Sequence, residues 1–122
     1  MNLRRILRVV AVAIVAAGAL QLQSVPGTLH AASTQSVTVH VREINNQYVF
    51  RPAKISVKPG AKVTWVDNSD APHTVTGTKG WSYSSKMFTQ GHMVSITFKK
   101  AGTFHYICSI HPYMKGTVVV RG

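Results

Sequence analysis

Apolar and polar residues alternate along most of the chain beyond its first thirty or so positions. Val37, Val39 and Val41 alternate with Thr38, His40 and Arg42, and a period of two is what a strand with one buried face requires. Lys54-Ile55-Ser56-Val57-Lys58 repeats the pattern before a Pro59-Gly60 turn. Lys62-Val63-Thr64-Trp65-Val66 follows, closed by the turn-forming run Asp67-Asn68-Ser69-Asp70. Val94-Ser95-Ile96-Thr97-Phe98 alternates again up to Lys99-Lys100-Ala101-Gly102. Phe104, Tyr106 and Cys108 share one face of the next strand, and Gly116 to Arg121 forms the last. The stretch from Thr78 to Thr89 shows no period, which predicts a loop with at most one helical turn. Roughly seven to eight short strands, spaced about 8–12 residues apart, predict an all-β sandwich. With no internal repeat, residues 36–122 read as one domain.

The first thirty-two residues follow other rules. Arg4, Arg5 and Arg8 precede an apolar run from Val9 to Leu20, followed by polar Gln21 to Ser24. A basic start and a short apolar centre are the marks of a secretory leader. The run is too short to cross ~30 Å of hydrocarbon as a helix. Small residues offer cleavage after Ala19 or near Ala32, so residues 1–32 are expected to be leader and spacer. The product is then exported to a periplasmic or other extracytoplasmic space, without stable membrane insertion after processing.

Charge and composition narrow the functional classes. The chain carries 14 Lys and Arg against three acids, a formal charge of +11, with 45% apolar residues. That apolar share excludes a disordered basic tail. Removing Arg4, Arg5 and Arg8 leaves +8 (11 − 3) on the mature chain. The basic residues are spread along the strands instead of clustered, which predicts a solvated monomer surface. Such a surface can steer the protein toward an acidic partner or an anionic envelope surface and offers nucleic acid no aromatic platform. One Cys excludes an internal disulfide, a four-thiolate cluster and a four-Cys zinc site.

The chemistry concentrates near the C-terminus. Cys108-Ser109-Ile110-His111-Pro112-Tyr113-Met114 sets a thiol, an imidazole and a thioether at three-residue intervals. A loop of that spacing turns all three toward one point. His73, in Asp70-Ala71-Pro72-His73, offers a second imidazole. Two His, one Cys and one Met form the ligand set of a type 1 copper site, with Met as the weak axial ligand. Each residue alone has an ordinary reading: Cys108 as a small buried hydrophobe, Met114 as core filling, either His as structural. The four together, in this order and spacing, point to one copper ion that cycles between Cu(I) and Cu(II).

With these residues in hand, the chain resembles the cupredoxins, amicyanin and plastocyanin-like blue copper proteins. Cys108 to Val120 resembles the family's ligand loop and last strand. Ile55-Ser-Val-Lys-Pro-Gly60, Val63-Thr-Trp65 and Pro72-His73-Thr-Val resemble the region leading to the first copper ligand. Ala101-Gly-Thr-Phe104-His-Tyr106 resembles the approach to the Cys. The resemblance implies a Greek-key β-sandwich with copper near one end. It also implies single-electron transfer between partner proteins, without substrate turnover. Two positions depart from the family pattern. Thr74 stands where many members place the Asn that ties the two ligand loops together. Ile110 stands where many have Pro, and so keeps a backbone N–H that a Pro would lack.

The remaining His and Met carry less weight. Alternation places His40 and His105 on outward faces, His92 falls in a turn, and Met87 and Met93 read as core or loop packing. A storage or delivery module for copper is the alternative function, marked by exposed Met-rich or His-rich tracts that are missing here. A copper oxidase needs further His pairs, and a dinuclear copper site needs a second Cys. With three acids there is no paired-carboxylate or Ser-His-Asp arrangement, so no enzyme is expected. Zinc on Cys108, His73 and His111 is feasible, but Met114 in the same loop favours copper.

Overall fold

The computed structural model describes residues 33–122; the leader and its cleavage positions lie outside the described residues. Eight strands are present: β1 (Ser36–Ile44), β2 (Gln47–Arg51), β3 (Lys54–Val57), β4 (Ala61–Asp67), β5 (Thr76–Lys79), β6 (Met93–Phe98), β7 (Gly102–Ile107) and β8 (Lys115–Val120). They form two four-stranded sheets, β2-β1-β4-β6 and β3-β8-β7-β5. Each sheet is mixed, because β1 runs parallel to β4 and β3 parallel to β8. The fold is an all-β sandwich, as the alternation predicts.

The inner faces carry the residues the alternation assigns to them. On β4, Ala61, Val63, Trp65 and Asp67 are buried while Lys62 is exposed. Val39 and Val41 of β1 stand opposite Trp65 and Asp67 in the parallel register. Trp65 meets Tyr106 edge-on across the sandwich, with ring centroids 5.3 Å apart, and Phe50 meets Tyr106 at 4.9 Å. Each buried aromatic of this size contributes several kcal/mol of transfer free energy, on the order of 25 cal/mol per Å² of apolar area. Every described Lys and Arg is exposed.

Two strands go beyond the alternation pattern. β1 and β2 form an antiparallel hairpin closed by Asn45 and Asn46, whose φ values are 52° and 63°. Consecutive positive φ angles match the right-handed twist of a hairpin, and Asn tolerates them well. β5 pairs with β7 and carries a register irregularity between Gly77 and Lys79. No helical turn occurs between Thr78 and Thr89. Isolated bridges from Thr76 to Ser84 and from His73 to Phe88 order that loop instead. Trp81 adds an indole N–H bond to the His105 carbonyl at 2.8 Å.

Candidate metal centre

The four candidate ligands come from two places in the fold. His73 lies between β4 and β5, held by reciprocal backbone bonds with Phe88 of 3.0 and 2.9 Å. Cys108 directly follows β7, and Met114 directly precedes β8. The loop between them is closed by its own backbone: Cys108 N–H donates to the Met114 carbonyl (3.2 Å) and Met114 N–H to the His111 carbonyl (2.9 Å). The short spacing shapes this closure. It lets two adjacent antiparallel strands be joined by a tight turn that carries His111 at its tip.

Donor atoms of His73, Cys108 and His111 all lie within 4.8 Å of one another. The Cys108 sulfur stands 3.7 Å from His73 Nδ1 and 3.8 Å from His111 Nδ1. His73 and Cys108 are fully buried, whereas His111 is half-buried. Met114 is buried in the same loop. A thiolate and two imidazoles, with a buried Met in the same loop, fit copper in either oxidation state. Burial of the thiol beside two imidazole nitrogens leaves the sulfur little other polar company. The residues fit the metal.

Thr74 fills the role that the missing Asn leaves. Its N–H donates to the Cys108 sulfur at 3.3 Å, and its hydroxyl accepts the Ser109 N–H at 2.8 Å. The same Oγ1 lies 2.9 Å from Ser109 Oγ and 3.0 Å from Thr76 Oγ1. One side chain thus ties the His73 loop to the Cys108 loop. The Ile110 N–H, in contrast, makes no bond to the sulfur among the described residues, so Thr74 supplies the sulfur's backbone donor.

These features place the chain among known proteins. Residues 36–121 match the family described as copper binding proteins, plastocyanin/azurin family. The chain belongs to that family. It is 33% identical over 115 residues to amicyanin-alpha of Methylorubrum extorquens, covering 91% of this chain and 88% of that protein. A match to the amicyanin of Paracoccus versutus is 35% identical over 72 residues but spans 56% of this chain and about half (54%) of that relative. The solved structure of amicyanin from Paracoccus versutus superposes with a TM-score of 0.63 at 29% identity, covering 76% of this chain and 86% of that one. A purple cupredoxin from Nitrosopumilus maritimus, at 20% identity and a TM-score of 0.64, shares the fold.

Several residues around the centre were not legible as site residues. Tyr48 of β2 lies over both imidazoles, its ring 4.9 Å from His73 and 5.0 Å from His111. Its hydroxyl donates to Asp70 at 2.7 Å, and that bond pushes the phenol pKa up to about 12. Its N–H donates to the Tyr113 hydroxyl at 3.2 Å, which links the hairpin to the ligand loop. Ser69 Oγ lies 2.9 Å from His73 Nε2 and donates to Asp67 Oδ1 at 2.7 Å. Burial pushes the His73 pKa below its ordinary value, with Asp67 opposing part of the shift and His111 adding to it. Low proton affinity keeps the imidazole available as a metal ligand.

The remaining His lie outside the cluster of His73, Cys108 and His111. His40 and His105 are half-buried, lying 2.7 Å from Asn68 Oδ1 and 3.2 Å from Thr117 Oγ1. His92 is exposed in its turn. Met87 and Met93 are each 60% exposed, so neither belongs to the core. Alternation does put Met93 at the start of β6, but on its outward face.

Proposed function

We propose that the chain is an exported electron carrier that holds one type 1 copper through His73, Cys108, His111 and Met114. The observation that carries this reading is the convergence of the His73, Cys108 and His111 donor atoms within 4.8 Å inside the sandwich end. Copper, when bound, takes up and releases a single electron. The chain's own residues hold the donors still: Thr74 braces the sulfur, and the closed loop from Cys108 to Met114 fixes His111. Small rearrangement between oxidation states is what a carrier needs, and prepositioned ligands supply it. Met114 would be the fourth and weakest ligand, a role supported by its burial and its place in the closed loop.

A delivery or storage module would present its ligands at the surface. Here His73 and Cys108 are fully buried, which favours retention of the metal. Export rests on the basic and apolar leader pattern of residues 1–32. No helix among the described residues is long and apolar enough to cross a membrane. The test is direct. One equivalent of Cu(II) added to the metal-free domain should give a one-to-one complex with intense visible thiolate-to-copper absorption. A colourless complex would overturn the type 1 assignment.

The electron leaves through the half-buried His111. Around it Tyr113 is 52% and Ile110 43% exposed, with Pro112 also exposed and Ala71 and Pro72 half-buried. This small apolar patch docks a redox partner, acidic elsewhere on its surface, while the exposed Lys and Arg steer the encounter. Ala71→Glu places a carboxylate that must be desolvated whenever two patches meet. Electron self-exchange should fall by about tenfold or more with the visible spectrum unchanged. NMR line broadening in mixtures of the two oxidation states, at high salt to screen net charge, measures it. An unaltered rate would move the exit away from His111.

A further inference from the structure

Strand β4 ends on a buried carboxylate. Alternation along Ala61, Val63 and Trp65 carries Asp67 onto the inner face, where it is fully buried, and Ser69 beside it is 4% exposed. Asp67 Oδ1 accepts both the Ser69 N–H (2.8 Å) and the Ser69 hydroxyl (2.7 Å), while Oδ2 has no partner. Ser69 Oγ also lies 2.9 Å from His73 Nε2. On the far side of the same ring, Nδ1 faces the Cys108 sulfur at 3.7 Å. Asp67, Ser69, His73 and Cys108 form one continuous line from the end of β4 to the ligand cluster.

We propose that Asp67 and Ser69 are positioning residues that lock His73 in the Nε2–H tautomer and aim its Nδ1 lone pair at the metal. The inference rests on the copper site proposed above. A hydroxyl carries one proton. The Ala71 carbonyl, at 3.2 Å from Ser69 Oγ, is the weaker competitor for it, since Asp67 lies closer and is the stronger acceptor. With its proton committed to Asp67, Ser69 Oγ can only accept from His73, so Nε2 bears the hydrogen. The opposite tautomer would require Ser69 to donate to Nε2. Asp67 would then lose the shorter of its two hydrogen bonds and keep only the Ser69 N–H for two buried oxygens, which disfavours that tautomer. A His ligand whose distal N–H is anchored through a hydroxyl to a carboxylate is also a stronger donor. The signal in the sequence was the alternation itself, which puts residue 67 on the core face although Asp67-Asn68-Ser69-Asp70 reads as an ordinary turn.

Long-range ¹H–¹⁵N correlation spectra of the metal-free protein read the His73 tautomer without copper. The wild type should show Nε2–H only, and Nδ1–H there would overturn the proposal outright. Ser69→Ala should populate both tautomers and weaken Cu(II) binding roughly 10–100-fold, the usual cost of losing an outer-shell partner. Ser69→Thr, which keeps the hydroxyl, should restore both properties. Asp67→Asn preserves shape but weakens the acceptor and should lower Cu(II) affinity by a smaller factor. An Ala variant with the Nε2–H tautomer intact and affinity within about twofold of wild type would refute the role of Ser69. An Asn variant identical to wild type would remove Asp67 from it. Failure of the wild type to bind copper would strike the proposed function and leave the tautomer result standing.

Discussion

Cys108→Ser should abolish the intense visible absorption of the copper-loaded protein and leave the sandwich folded. The change replaces one atom. The sulfur it removes is fully buried, 3.7 and 3.8 Å from the two imidazole Nδ1 atoms. A serine hydroxyl in that place stays protonated at neutral pH and is hard where a thiolate is soft, so it neither holds Cu(I) nor gives the low-energy charge transfer that makes the colour. Cu(II) affinity should drop by well over ~100-fold, beyond what loss of an outer-shell partner costs. Stability of the metal-free protein should change by only about 1 kcal/mol, because the Ser oxygen inherits the Thr74 N–H as donor. Visible spectra with circular dichroism of the same samples separate the two effects. A Ser variant that stays blue would show that another sulfur supplies the band.

The sandwich and its ligand loop were legible because both obey short-range rules. Alternation assigns the inner face of β4 residue by residue, and the C-x₂-H-x₂-M spacing needs nothing beyond one tight loop. What the sequence hides is long-range. Gln47-Tyr48-Val49-Phe50-Arg51 pairs back on β1 through a turn at Asn45 and Asn46, both in the left-handed region, a turn signal weaker than Asn-Gly. Tyr48 sits over His73 and His111 although it is 25 residues (73 − 48) from the nearer one in sequence. β5 is four residues long and has no buried position, so no hydrophobic period marks it. Met87 and Met93 read as core or loop packing, yet both are exposed, Met87 in a loop and Met93 on the outward face of β6, where an apolar residue costs little. Thr74 shows the opposite case. It stands where many family members have Asn, and its hydroxyl makes bonds between the two ligand loops.

Gly116→Ala is the backbone counterpart of the Cys108 change, and it should cost a large share of the stability while leaving the ligand residues themselves in place. Gly116 stands directly opposite Tyr106 in the antiparallel pairing of β7 and β8. On the inner face, the phenol ring folds over the glycine, where a Cβ would overlap Cζ, Oη and Cε2 of Tyr106. The ring has nowhere to go. Tyr106 is 1% exposed and pressed between Phe50 and Trp65 at 4.9 and 5.3 Å. Its hydroxyl has no hydrogen-bond partner, and burial pushes its pKa up to about 12, with the nearby Trp65 indole opposing part of that rise. Forcing this ring outward is overpacking, for which about 3 kcal/mol is a fair expectation. In a domain of this size that lowers Tm by roughly 15 °C. Tyr106 lies two residues before Cys108 and Gly116 two after Met114, so the same displacement reaches both ends of the ligand loop and should shift the visible spectrum. A double-mutant cycle isolates the cause: in a Tyr106→Leu background, where no ring covers the site, Gly116→Ala should cost less than about 1 kcal/mol in urea unfolding. Equal costs in the two backgrounds would mean that the glycine is needed for its own backbone and not for the ring above it.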